Sequence, residues 1–348
     1  MGEHQQYMRR AFDLALQHLG NVRHNPIVGA VIVHEGRIIG EGAHEQFGSA
    51  HAEVNALKSI KEEDMRLLPE STIYVTLEPC HHYGNTPPCV DAILKHKIPK
   101  VYVSCVDPNP KVYMKSIQKM RLKGLEVHTG FEEEHGKELI KRYLTFNEKQ
   151  RPFVILKYAQ SKDQFIGKEG EQVWLTNDIS KKLVHKWRSK ESAILIGKNT
   201  AATDNPALTT RDWTGNNPVR IVLDSQLGLS PTLQLFDGSV PTIVLHHANN
   251  TRSEQVNVSY KQLTAARFEI GEILEVLYQE KLKSVIIEGG ADILHQFITA
   301  NLWDEARVFT SSKLLSTGIP APQLPIKPMM RQEIDSDLLE IYRNYPDQ

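Results

Sequence analysis

This chain of 348 residues predicts two α/β domains in series. Three observations carry the prediction. Apolar, β-branched runs alternate with stretches of helical periodicity along most of the length, the pattern of layered sheet-and-helix domains. A charged stretch at 132–150 with helical apolar spacing ends at Arg151-Pro152, where proline halts the helix, and divides the chain into residues 1–150 and 151–348. Apolar residues make up 40% of the chain, enough for ordinary cores, and no apolar run is long enough to cross a bilayer.

The first half reads as follows. Tyr7, Met8, Ala11, Phe12, Ala15, Leu16 and Leu19 recur at helical spacing and stop at Gly20. A loop through Asn25-Pro26 leads into an apolar strand, Ile27 to Val33. A turn at Glu35-Gly36 returns it through Ile38, Ile39 and Gly40. His51 opens a helix carrying Val54, Leu57 and Ile60. Thr72 to Leu77 is a buried strand, Cys89 precedes a short helix through Ala92, Ile93 and Leu94, and Val101 to Cys105 is the next strand. Cys105 reads as a small core residue. Leu139, Tyr143 and Phe146 give the closing helix its apolar side. The order predicts a three-layer α/β sandwich around a mixed sheet, with both ligand-bearing helix starts at one edge.

Those helix starts matter because of three residues. His51, Cys80 and Cys89 are three ligands suited to one zinc ion, with a fourth position left for water. Glu53, two residues from the histidine, is left outside the metal set and is placed to carry a proton. Zinc acidifies a bound water to near neutrality, so hydroxide is available for attack. A histidine and glutamate in H-x-E followed by a P-C pair is the plan of the zinc nucleoside and nucleobase deaminases. Here the cysteines are spaced C-x8-C rather than C-x-x-C, which sets the chain apart from ordinary cytidine and tRNA deaminases.

In the second half, Phe153 to Ala159 is a buried strand, and helical spacing returns at Ile179, Leu183, Val184 and Trp187. Ala193–Gly197, Val219–Leu223, Thr242–Leu245, Ser284–Ile287 and Ala306–Phe309 are further strands. Their alternation with helices predicts a parallel-rich sheet that binds ligands at the strand C-termini. Glu288-Gly289-Gly290 lies between a strand and the helix Asp292 to Thr299, where glycines let main-chain amides approach a phosphate. This is not the G-x-G-x-x-G of a Rossmann domain. Lys157, near the end of a buried strand, is a candidate for polarising a reacting carbon or its oxygen. The segment from Pro320 to Gln348 reads only as a packed or trailing tail.

Charge excludes some partners. With 41 Lys+Arg against 42 Asp+Glu the net charge is −1, so nothing in the composition favours nucleic acid. Three cysteines form no disulfide framework, and the N-terminus lacks the apolar core of a signal peptide. The expectation is a cytoplasmic protein without a membrane partner.

Several stretches resemble the riboflavin-pathway bifunctional deaminase/reductase family: Asn25 to Val33, His51 to Leu57 and Thr76 to Cys89 in the first half; Leu156 to Asp163, Val173 to Thr176, Ile196-Gly197 with Thr200, Asp204 through Arg211, and Ile287 to Gly290 in the second. The resemblance covers nearly the whole chain, and its long T-P-P-C loop accounts for the C-x8-C spacing. It implies a cytidine-deaminase-like domain with one Zn2+ on His51, Cys80 and Cys89, with Glu53 as proton donor and Asn25 on the pyrimidine. It also implies a dihydrofolate-reductase-like domain that uses NADPH. There Ala159, Trp174, Thr200, Asp204, Ser225, Gly289 and Gly290 would surround the cofactor, and Arg188, Leu208, Arg211 and Glu288 would contact the substrate. An arginine fork suits the 5-phosphate of a ribosyl substrate. The substrate implied is a small phosphoribosyl pyrimidine, and the assembly a homo-oligomer. His24, His81 and His82 lie near the zinc motif in sequence and are expected mainly as solvated loop residues.

The chain departs from the family at Gln164, where glycine is usual and a left-handed backbone would strain glutamine. It departs also at Gln172, at Ile140, and at Val112-Tyr113-Met114-Lys115, where glycines are usual. Two other readings share these residues. One is a deaminase whose reductase-like domain binds nucleotide without turnover. The other is a nucleic-acid deaminase, which needs a basic surface and stacking aromatics.

Overall fold

The computed structural model describes residues 2–22, 25–83, 87–110, 112–249, 252 and 255–344. The chain forms two compact units, Met1–Lys149 and Gln150–Gln348.

The first unit runs α1 (Glu3–Leu16), β1 (Gly29–His34), β2 (Arg37–Ala43), α2 (Ala52–Lys58), a 3-10 segment (Glu62–Glu70), β3 (Thr72–Leu77), α3 (Cys89–Lys95), β4 (Lys100–Cys105), α4 (Lys115–Leu122), β5 (Glu126–Thr129) and α5 (Glu133–Glu148). Its sheet has the order β2-β1-β3-β4-β5. β1 is antiparallel to both β2 and β3, while β3, β4 and β5 are parallel, so the sheet is mixed. Side-chain alternation along the strands explains the layers. Ala30, Ile32, Ile73, Val75, Val101 and Val103 pack under residues of α2, α3 and α4. Val31, Val33, Tyr74 and Tyr102 face α1 and α5 on the other side. The three-layer sandwich is therefore as expected, with α4 and β5 added. Both are weak in sequence: β5 buries only Val127 of its four residues. Cys105 is buried in the core, as read.

The second unit runs β6 (Phe153–Gln160), β7 (Phe165–Gly167), α6 (Asp178–Arg188), β8 (Ala193–Gly197), α7 (Lys198–Asp204), β9 (Val219–Leu223), β10 (Thr242–His246), β11 (Val258–Gln262), α8 (Ile270–Gln279), β12 (Ser284–Ile287), α9 (Ala291–Thr299), β13 (Glu305–Ser311), β14 (Ile319–Pro320), β15 (Met330–Ile334) and β16 (Asp337–Arg343). A nine-stranded sheet has the order β11-β10-β9-β8-β12-β6-β13-β16-β15. It is parallel from β11 to β13, and β16 and β15 close it antiparallel. Val154, Leu156, Leu195, Val285 and Ile287 pack with α8 and α9. Ile194, Ile196 and Val222 face the opposite layer with Ala201 of α7.

The tail belongs to this sheet. β16 pairs with β13 over seven residues, and Leu339 is buried with Val184 and Phe309. The parallel arrangement brings the C-terminal ends of β6, β8, β9, β10, β12 and β13 to one edge. Loops bearing chemistry collect there in such sheets.

Candidate active sites

In the first unit, α2 is held close to the sheet by two glycines of β2. A Cβ on Gly40 would lie 2.5 Å from the Ala56 carbonyl oxygen, and one on Gly42 2.4 Å from the Ala56 nitrogen. Asn55 Nδ2 donates to the carbonyl of Ala43 at 2.8 Å and ties the helix start to the strand end. His51 is the N-cap of α2 with extended backbone, and Cys89 is the first residue of α3. Cys80 follows the end of β3. The ligand atoms of His51, Cys80 and Cys89 all lie within 4.8 Å of one another.

The distances match a tetrahedral metal. Bond lengths of about 2.05 Å to nitrogen and 2.3 Å to sulfur at a tetrahedral angle place N and S about 3.5 Å apart. His51 Nδ1 lies 3.5 Å from Cys80 Sγ and 3.4 Å from Cys89 Sγ. The electrostatics agree. The Cys89 thiol as hydrogen-bond partner, with His51 assisting, pulls Cys80 down to about 4 against the effect of burial. Cys89 moves the opposite way through that same bond and through burial. The Cys80 thiolate raises His51 in turn. A half-buried and a buried cysteine sulfur with one imidazole nitrogen form a donor set that zinc takes, releasing protons as it binds. The residues fit the ion.

Glu53 is 3% exposed. Burial, and then the Cys80 thiolate, push its carboxyl up to about 7, while a hydrogen bond with the Cys89 thiol opposes the rise. A group that exchanges a proton near neutrality beside the three ligands is suited to acid–base work. Asn25 lies close by: its Nδ2 is 3.1 Å from His44 Nε2, and the His44 ring stands edge-on to the His51 ring at 5.3 Å. His44 is buried and holds its Nδ1 at 3.2 Å from the Ala50 carbonyl. Nothing in the sequence singled out His44, whose role is visible only in three dimensions. His81 is half-buried and His82 exposed. His24 lies outside the described residues.

In the second unit, adjacent registers on β6 and β12 bring Lys157 beside Glu288. Arg188, the last residue of α6, donates to Glu288 from Nε at 3.0 Å and from Nη2 at 2.6 Å, and its Nη1 reaches the Thr209 carbonyl at 3.3 Å. Lys157 Nζ is 4.0 Å from Glu288 Oε2. Burial lowers the Lys157 ammonium, with Glu288 opposing. Burial alone would raise Glu288, yet Arg188 and Lys157 hold it down at about 2. The expected substrate residues Lys157, Arg188 and Glu288 thus form one cluster.

Gly289 abuts Thr200, since a Cβ there would lie 2.9 Å from Thr200 Cγ2. Gly290 caps α9 with φ 76°. Thr200, Gly289 and Gly290 are therefore together. Ser225 follows β9, with its Oγ 3.1 Å from His247 Nδ1. Asp204 closes α7, and burial raises its carboxyl. Ala159 packs toward Phe309, whereas Trp174 is 57% exposed with Lys181 over its ring.

Leu208 is 2% exposed, its side chain is buried with Ile194 and Val222, and its main chain has φ 52°. Arg188 has most of its fork on Glu288, whereas Arg211, beyond Thr210, is exposed. His185 was missed: it is buried, with Nδ1 at 2.9 Å from the Thr209 carbonyl and Nε2 at 3.1 Å from Asp212. Gln164 does take a left-handed backbone, φ 65°, and so does Met114, φ 59°. Ile140 breaks the helical backbone inside α5.

Residues 1–105 match the family described as the cytidine and deoxycytidylate deaminase zinc-binding region, and residues 152–331 match the RibD C-terminal domain. A riboflavin biosynthesis protein RibD of Aquifex aeolicus is 37% identical over 325 residues, covering 92% of this chain and 90% of that protein. The Escherichia coli RibD is 31% identical, covering 89% and 88%. Among solved structures, a diaminohydroxyphosphoribosylaminopyrimidine deaminase/5-amino-6-(5-phosphoribosylamino)uracil reductase of Thermotoga maritima superposes with a TM-score of 0.90 at 36% identity, covering 98% of each chain. Acinetobacter baumannii RibD gives a TM-score of 0.88 at 30% identity, covering 97% of this chain and 98% of its own. Fold and site define a two-domain enzyme that joins a zinc deaminase to a reductase. The chain belongs to the RibD family of riboflavin biosynthesis proteins.

Proposed function

We propose that domain 1–150 hydrolyses the 2-amino group of 2,5-diamino-6-(5-phosphoribosylamino)pyrimidin-4-one, and that domain 151–348 then reduces the ribosyl group of the product to ribityl with NADPH. The observation that supports it most is the convergence of His51, Cys80 and Cys89 with the buried Glu53 beside them. His51, Cys80 and Cys89 would hold zinc, which when bound supplies Lewis acidity and lowers the pKa of water. Glu53 takes a proton as water attacks the ring carbon and delivers it to the departing ammonia. Asn25, fixed by His44, orients the pyrimidine.

In the second domain NADPH supplies the hydride. Thr200, Gly289 and Gly290, packed together ahead of α9, would hold the dinucleotide, and main-chain amides at such a strand-to-helix turn suit its phosphates. Ala159, Trp174, Asp204 and Ser225 complete its surroundings. Lys157 delivers a proton to the ring oxygen as C1′ is reduced and the C1′–O4′ bond opens. Glu288 keeps Lys157 and Arg188 in place, and Arg211 takes the 5-phosphate. The substrate is a small molecule and the chain assembles with copies of itself in the cytoplasm. Among the described residues no helix is long and apolar enough to cross a membrane.

Two separate assays test this on zinc-loaded protein: ammonia release from the diaminopyrimidine, and NADPH oxidation with the already deaminated ribosylaminouracil phosphate. Both proceed in the native chain, and His51→Ala abolishes the first while sparing the second. Ammonia release without NADPH oxidation would leave a deaminase attached to an inactive reductase fold.

A further inference from the structure

The long spacing between the two cysteines poses a mechanical problem. In a C-x-x-C pair one short turn sets the distance between the sulfurs. Here eight residues intervene: Cys80 lies in the loop that follows β3, and Cys89 is the first residue of α3. Two direct bonds join them, from Cys89 N–H to Cys80 Sγ at 3.2 Å and from Val90 N–H to the Cys80 carbonyl at 3.3 Å. Both form only if α3 is already in place.

Glu78, two residues before Cys80, supplies a second connection. It is 4% exposed. Its Oε1 accepts from Ser116 N at 3.2 Å and Ser116 Oγ at 2.7 Å; its Oε2 accepts from Met114 N at 3.0 Å and Asp107 N at 3.4 Å. Met114 is the N-cap of α4 and offers no side-chain cap of its own. Glu78 therefore caps α4 from another element, filling the role an acidic side chain plays at a helix start. Its bond to Met114 N–H also anchors a left-handed residue, φ 59°. α4 in turn buttresses α3. Ile117 and Met120 share a core with Val90 and Ile93, and Lys119 pairs with Asp91 of α3. That ion pair is part-exposed, so packing carries most of the connection.

We infer that Glu78 is a positioning residue for the metal, bracing Cys80 against α4 and, through α4, against the helix that presents Cys89. The inference rests on the zinc reading of the first site. Four donors on two oxygens demand a carboxylate. An amide of the same shape turns its own N–H groups toward two of those donors. Outer partners that orient ligands commonly alter metal affinity 10- to 100-fold when changed.

The test uses the full chain and compares native, Glu78→Gln and Ser116→Ala proteins. Zinc affinity is measured by competition with a chelating dye, and the visible spectrum of the cobalt(II) form reports ligand geometry. Glu78→Gln is expected to lower zinc affinity at least about 10-fold and shift the cobalt bands; Ser116→Ala does the same to a smaller degree. Global loosening would lower thermal stability without moving the cobalt bands of the metal-bound fraction. If Glu78→Gln does not fold, Ser116→Ala decides the matter. Native-like zinc affinity and cobalt spectra in folded variants would overturn the brace while leaving the zinc reading intact. Failure of the native chain to bind zinc would overturn the zinc reading and the brace with it.

Discussion

Replacing Glu288 by glutamine removes the one anion between Arg188 and Lys157 while keeping its shape. The carboxyl is 6% exposed, accepts two bonds from Arg188, and lies 4.0 Å from Lys157. Its pKa falls from 4.5 to about 2. At 1.36 kcal/mol per pH unit, the charged carboxylate stabilises the fold over the protonated one by about 3 kcal/mol. Because the folded pKa is depressed, that stability is present above about pH 4.5 and is lost as pH falls toward 2. Glutamine mimics the protonated form and leaves two cations facing each other, a loss of the kind that costs about 3–5 kcal/mol for buried pairs. Urea unfolding of both proteins between pH 7 and pH 3, followed through a probe in the C-terminal domain, measures the difference. The gap should be about 3 kcal/mol at pH 7 and shrink as the native protein is acidified. A pH-independent gap, or none at pH 7, would refute the view that the charge of Glu288 organises this cluster. NADPH oxidation should be lost in the variant at every pH.

Gly42→Ala pushes a methyl into the main chain of α2 and should destabilise the protein by about 1–3 kcal/mol; zinc content per chain should drop with it, as metal analysis and a melting curve would show. Gln164→Gly relieves a left-handed residue whose N–H and carbonyl are both bonded, to Ser161 and Ala321. The gain of about 1–2 kcal/mol is offset by about 0.5–1 for glycine's freedom when unfolded, so a melting temperature higher by a degree or two is expected. Arg211→Ala should raise KM for the phosphorylated substrate at least about 10-fold, the range of one charge-assisted bond, with kcat changed little; equal KM with and without the arginine would assign the phosphate elsewhere.

Much of the fold was readable because its signals are local. β3 runs from Thr72 to Leu77 as its apolar, β-branched sequence indicates, and α5 ends at Glu148, shortly before Arg151-Pro152. α8 had the signal too, in Ile270, Ile273, Leu274 and Leu277, although it was not read from the sequence. β5, β11 and β15 had almost none. They are short or exposed strands whose pairing energy comes from their neighbours in the sheet, and β16 is held between β13 and β15.

The sequence by itself determined the donor types. One histidine, two cysteines and a nearby glutamate specify a class of chemistry whatever the backbone does, because metal affinity and proton transfer reside in the side-chain atoms. Tertiary structure decided the geometry and the charges. Burial beside Cys80 pushes the Glu53 carboxyl up to about 7, and Arg188 and Lys157 flanking Glu288 hold its carboxyl down. It also decided which residues are partners. Glu78 and Ser116, or Asn25 and His44, meet through folding alone. Spacing along the chain carries no record of such contacts, since each depends on how separate elements pack.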